Sequence, residues 1–194
     1  KDPNNAEWLL ISNKAINAKL SMIPRSDWSR TNDAELDQLQ ESTRKLLMLD
    51  SSKSISNIRL ADILRENALR ALQSGNFADA MVSAKSAHTL MLDLVNKSDQ
   101  SPQLQVKLAK TAELLGTAMM ANQHAAAAEL IWKDAAALLD KQNIRIFDFY
   151  PVRRLLAIDL QQTKKIVEIE NELNKAGFKD PRMQPAHTLS GAFR

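Results

Sequence analysis

Between Ile55 and Val95 the apolar residues recur at three- and four-residue steps, with one interruption. Ile58, Leu60, Ala61, Leu64, Ala68, Leu69 and Leu72 make a first stripe, and Phe77, Ala80, Met81, Ala84, Ala87, Leu90, Met91 and Leu94 a second. This spacing puts each set on one face of a helix, because 3.6 residues complete a turn. Gly75-Asn76-Phe77 lies between them, so the stretch predicts two antiparallel helices around a short turn. Neither helix can bury its stripe alone, and the hairpin needs neighbours.

The neighbours have the same pattern. Trp8, Leu9, Ile11, Ala15, Ile16, Leu20 and Ile23 form a stripe that starts behind Asn4 or Asn5 as caps and stops at Pro24. The polar loop 24–32 carries Trp28, read as a plug on a neighbouring helix, and Leu36, Leu39, Leu46, Leu47 and Leu49 follow on a second helix. Beyond the central hairpin, Pro102 suits the first position of a helix running to about Ala121. Asn122-Gln123-His124 is a turn, and an Ala-rich helix runs from Ala125 to about Lys141. The aromatic, alternating patch 143–150 fits either an extended linker or the start of the next helix. Pro151 to Leu160 and Ile166 to Ala176 then predict a last pair, with Ala176-Gly177 as its cap. The expected fold is all-α: an irregular array of antiparallel helical hairpins, about seven to eight helices. It forms a single domain over residues 1–180, with hairpins near 5–50, 55–97, 102–142 and 148–177. Residues 181–194 carry no clear pattern.

Composition agrees with this reading and narrows the chemistry. The 194 residues are 44% hydrophobic, enough for a sizeable core, and four Gly with six Pro are few for a turn-rich β protein. With 26 basic and 23 acidic residues, and no basic run longer than a pair, the chain lacks the electrostatic footprint of a nucleic-acid binder. No apolar run approaches the ~18 residues that span a bilayer, so membrane insertion by this stretch is not expected. There is no cysteine, which excludes disulfides, thiolate metal sites and a Cys nucleophile. His88, His124 and His187 lie far apart without ligand spacing, so no metal or other cofactor is expected. Nucleophile-elbow and phosphate-loop sequences are missing as well. The expectation is a protein without catalytic residues.

The hairpins share a grammar of small residues that periodicity alone does not require. Leu72-x-x-Gly75-Asn76-Phe77-x-x-Ala80, followed by Ala84 and Ala87, resembles the tetratricopeptide repeat, and so do Leu115-Gly116, Ala128 and Ala135. Ala157-x-x-Leu160 to Leu173 resembles a degenerate third copy, with Gln161 where Gly is usual and Ile166 where Ala is usual. Departures accompany the likeness: Gly75 and Gln123 are 48 residues apart rather than roughly 34, and no Pro closes either hairpin. Asp2-Pro3-Asn4-Asn5-Ala6-Glu7-Trp8 and Tyr150-Pro151-Val152 through Ala176-Gly177-Phe178-x-x-Pro181 are similar to the C-terminal regions of bacterial membrane-anchored serine/threonine kinases and of winged-helix regulators. The start at Lys1-Asp2-Pro3, without Met or signal peptide, is read as a piece of a longer polypeptide, which leaves an upstream anchor or catalytic domain open; the kinase and regulator resemblance implies a kinase or DNA-binding domain there.

The repeat resemblance implies a groove lined by the first helix of each hairpin. Carried over residue by residue, it implies that Arg65, Leu69 and Gln73 face the groove from one hairpin. Lys110, Glu113, Thr117 and Met120 follow from the next, and Arg154 from the last. Basic residues there suit a peptide carboxylate; the same charges also read as solvated surface. The expected function is a noncatalytic protein- or peptide-binding module, the regulatory or sensing part of a larger protein. Alternatives are a sensor of a small ligand held under Trp28 or Trp132, and a structural or oligomerising scaffold, including a homodimer. The kinase resemblance implies an extracytoplasmic rather than cytoplasmic place.

Overall fold

The computed structural model describes residues 54–97, 101–140 and 149–175 continuously, together with Trp8, Leu9, Ile11, Ser12, Ala15, Gln38 and residues 41–45. Six helices have continuous bounds: α1 (Ser54–Gln73), α2 (Phe77–Lys97), α3 (Pro102–Ala121), α4 (Ala125–Asp140), α5 (Phe149–Asp159) and α6 (Thr163–Lys175). Residues 41–45 belong to a further helix, in which Ser42 and Thr43 are buried. The described residues contain no strand, and the fold is all-α. Most of the expected 5–50 hairpin lies outside the described residues. So do Trp28 with its loop, the 50–53 linker, residues 141–148, the Ala176-Gly177 cap and the 181–194 tail. Phe149 and Tyr150, from the end of the aromatic patch, are the first turn of α5.

Among the described residues three hairpins, α1–α2, α3–α4 and α5–α6, turn in one way. Gly75, Gln123 and Gln161 adopt the left-handed backbone conformation, with φ of 76°, 64° and 55°. At each, the amide donates to the carbonyl three residues back, at Leu72, Met120 and Ile158. The next amide reaches five back, to Ala71, Met119 and Ala157. This is the Schellman arrangement, which satisfies carbonyls the helix would otherwise leave unpaired. Asn76, His124 and Gln162 then accept the first helical bonds of α2, α4 and α6, from Ala80, Ala128 and Ile166.

Contacts run in order along the chain, α1 on α2, α2 on α3, α3 on α4, α4 on α5 and α5 on α6. In addition α1 touches α3, and α3 touches α5. The core is correspondingly segmented. Ala68, Ala80 and Ala84 meet Leu114, Leu115 and Ala118 between the first two hairpins. Val106, Ala109 and Ala112 meet Ala128, Trp132, Ala135, Leu139, Val152 and Leu156 between the second and third. The wholly buried alanines of α2 let it approach both α1 and α3 closely, since their side chains hold the backbones apart least. Helix α6 has Ile169 and Leu173 in the core instead, and the last hairpin is the one with the thinnest contacts.

Candidate functional site

Counting from each turn identifies the point where the helices of a hairpin cross. Seven residues before the left-handed residue stand Ala68, Gly116 and Arg154, and nine after it stand Ala84, Trp132 and Glu170. The first pair is two small residues in one core cluster. In the second, Trp132 lies so close over Gly116 that a Cβ there would come within 2.1 Å of the indole nitrogen. The indole N–H donates to the Glu113 carbonyl at 3.0 Å, so the buried ring has its polar edge satisfied. In the third, Arg154 is buried, and its Nε and Nη2 both reach Glu170 Oε1, at 2.9 and 2.8 Å. One crossing is thus filled by two methyl groups, by a large ring over bare backbone, and by an ion pair.

This corrects the placement of Arg154. It is 3% exposed and held by a carboxylate of its own hairpin, so it is not an open groove cation. The position of α5 that corresponds to Thr117 is Leu155, six before the turn residue, and Leu155 is 39% exposed. The indole of Trp132 is likewise taken up by packing.

The other candidates fall around α3, the helix with neighbours on most sides. In the middle of α3, between Leu104 and Met119, the residues that are not buried form one stripe at helical spacing, Lys107, Lys110, Glu113 and Thr117, which Gln103 and Met120 extend at the two ends. Lys110, Glu113 and Thr117 are half-buried there, and Met120 is 43% exposed. Lys107 crosses to Asp62 of α1 at 2.8 Å, placing α1 alongside this stripe. Arg65 is half-buried, 2.6 Å from Glu66 and close enough to act on Glu113 electrostatically. Leu69 packs at the edge of the Ala68 cluster, and Gln73 is exposed at the end of α1.

Glu113 is the electrostatic centre. Burial pushes its carboxyl up to about 7, against the opposing effects of the Thr117 hydroxyl and the Arg65 charge. Thr117 Oγ1 donates to it at 3.2 Å. Asp159, the last residue of α5, is raised to about 7 too, first by burial and then by repulsion from Glu113. Its Oδ2 is buried, and no hydrogen-bond donor among the described residues reaches it. No sequence pattern singles out Asp159, because 46 residues separate it from Glu113, whose charge reaches it only through the docking of α5 on α3. On the far side of α3, His88 Nδ1 lies 3.3 Å from Thr111 Oγ1, which itself donates to the Leu108 carbonyl, and burial lowers the His88 pKa. An imidazole that donates there is kept neutral at pH 7.

Among the described residues no group of three or more His, Asp or Glu is arranged to hold a metal ion. None of their helices is long and apolar enough to cross a membrane. No family model matches the chain, and no curated protein or solved structure matches it.

Proposed function

We propose that this chain is a noncatalytic, tetratricopeptide-like module that holds a protein segment or peptide along its first helices, as the regulatory or sensing part of a larger protein. The observation that carries the reading is the partly open stripe along α3. A helix enclosed by α1, α2, α4 and α5 leaves one face open, and that face mixes Lys107 and Lys110 with Thr117 and Met120. An extended peptide is held by such a surface through charge-assisted contacts from lysines and adaptable contact from a methionine. Recurring left-handed turns and contacts between successive first helices support the repeat reading. The unequal spacing, 48 residues from Gly75 to Gln123 and 38 from Gln123 to Gln161, makes the array irregular.

Selection of peptides from a random display library, followed by calorimetry on purified hits, tests this. Lys110→Ala with Met120→Ser is expected to weaken binding at least about tenfold, or about 1.4 kcal/mol, while the chain stays folded at the temperature of the binding measurement. Val82→Ser with Leu130→Ser, on exposed positions of the second helices, is expected to leave binding unchanged. Hits indifferent to the first pair and sensitive to the second sink the proposal.

A further inference from the structure

Among the described helices α6 is the one that packs against a single other helix, α5. Their shared core is small: Ala157 of α5 meets Ile169 and Leu173 of α6, edged by Tyr150 and Ile166. Around it the polar contacts are directional. Glu170 takes Arg154 at 2.8 Å, Glu172 takes Arg153 at 3.3 Å, and Lys165 reaches past α5 to Asp140 of α4. Each of these pairs runs from α6 to another helix. The surface on which α6 lies is therefore specific to α6, in shape and in the order of its charges.

The connection between α5 and α6 does not enforce this return. Gln161 carries a side chain in the left-handed conformation, at φ 55°, whereas Gly75 adopts it without a Cβ to collide. Residues 152–176 contain neither Gly nor Pro, and Gln161, Gln162 and Thr163 are exposed. The turn can thus take ordinary backbone dihedrals without uncovering a buried side chain of its own. The second turn, where Gln123 is left-handed too, is secured in ways this one is not. Asn122 Nδ2 donates to the Phe77 carbonyl at 2.6 Å, and α4 is packed between α3 and α5.

We propose that α6 is an exchangeable helix: two copies of this chain pair by opening at Gln161–Gln162, each docking its α6 on the α5 and α4 of the other. The fitting partner is a second copy, because the surface α6 would vacate complements α6 itself, acid to cation, at three places. Closed and exchanged forms share the same contacts of α6 and differ in the turn and in the freedom lost on association. Opening relieves one left-handed glutamine in each chain, association opposes it, and protein concentration sets the balance.

Isotope-resolved cross-linking of the full chain tests the exchange. Equal amounts of unlabelled and heavy-isotope chain are mixed, concentrated to about 1 mM and warmed to just below the unfolding midpoint. Size-exclusion chromatography with light scattering then isolates the dimer. A carbodiimide joins touching lysine and acid side chains without a spacer, and mass spectrometry reads which labels were joined. Lys165–Asp140 cross-links in the dimer are expected to be mixed-label in about half of the pairs, the share that random pairing of two labels gives. Lys107–Asp62 cross-links, which lie within one array, are expected to be single-label throughout. Gln161→Gly favours the closed turn and is expected to raise the dimer dissociation constant at least about tenfold. Absence of a dimer at about 1 mM overturns the exchange. So does a dimer whose Lys165–Asp140 links are all single-label, one whose Lys107–Asp62 links are mixed, or one indifferent to Gln161→Gly.

Discussion

Three residues in the same left-handed turn differ in what that conformation costs them. Gly75 adopts it without a Cβ to collide with the following carbonyl, whereas Gln123 and Gln161 hold it with a side chain. Gln123→Gly and Gln161→Gly are each expected to stabilise the fold by about 0.5–1 kcal/mol, the strain relieved exceeding the extra unfolded-state freedom of glycine. Gly75→Gln is expected to cost a similar amount, and urea melts of the three variants measure all of it. Gly116 is required for a different reason, since it is helical and its lack of a side chain makes room for Trp132. Gly116→Ala improves helix propensity by roughly 1 kcal/mol yet is expected to destabilise by about 1–3 kcal/mol net, because the indole must leave its place and its bond to the Glu113 carbonyl. A red-shifted tryptophan emission together with a lower urea midpoint would register that displacement. A midpoint at or above that of the parent protein would show that the ring can yield.

Hairpins were the legible elements. The apolar period and the Gly75 turn mark α1 and α2 to within a residue or two, because a 20-residue amphipathic helix repeats its signal over several turns. Pro102 and the Asn122-Gln123-His124 turn do the same for α3 and α4. The crossing pairs were not legible, since Gly116 with Trp132 and Arg154 with Glu170 depend on a register between two helices that no single stripe encodes. The repeat pattern places Arg154 in the groove, whereas the exposed position is held by Leu155, one residue and about 100° away on the same helix. An apolar flank cannot tell an inward arginine from an outward one when the inward arginine has an acid to meet. Breaking that ion pair by Arg154→Ala leaves Glu170 without its partner and α5 with a void. The expected loss is about 2 kcal/mol, below the ~3–5 kcal/mol of a wholly buried pair, because Glu170 keeps some water. A double-mutant cycle with Glu170→Ala separates the pairing from the packing, and a coupling near zero would mean that Arg154 contributes by its bulk alone.

At the scale of the whole molecule the buried ionisable groups set a direction for stability against pH. His88 is lowered by burial, so its contribution is present above its unfolded value of 6.5 and is lost as pH falls through the folded value. Glu113 and Asp159 are raised, from 4.5 and 3.8 to about 7, so their contribution is complete below the unfolded values and is lost as pH rises toward and through 7. Between about pH 4 and 6.5 the histidine and the carboxyls pull in opposite directions. Above about pH 7.5 the histidine is neutral in both states, and only the carboxyls act. Stability is therefore expected to fall between pH 6.5 and 8.5, the range in which a surface of mixed charge without cysteine has little else to titrate. Thermal unfolding followed by circular dichroism at half-unit steps measures it, with Glu113→Gln and Asp159→Asn as the variants that flatten the curve. His88→Gln should leave the curve above about pH 7.5 unchanged and act on the acid side. A midpoint constant from 6.5 to 8.5, or a decline that all three variants preserve, would place the proton-linked cost of this fold in groups other than the α3–α5 acids.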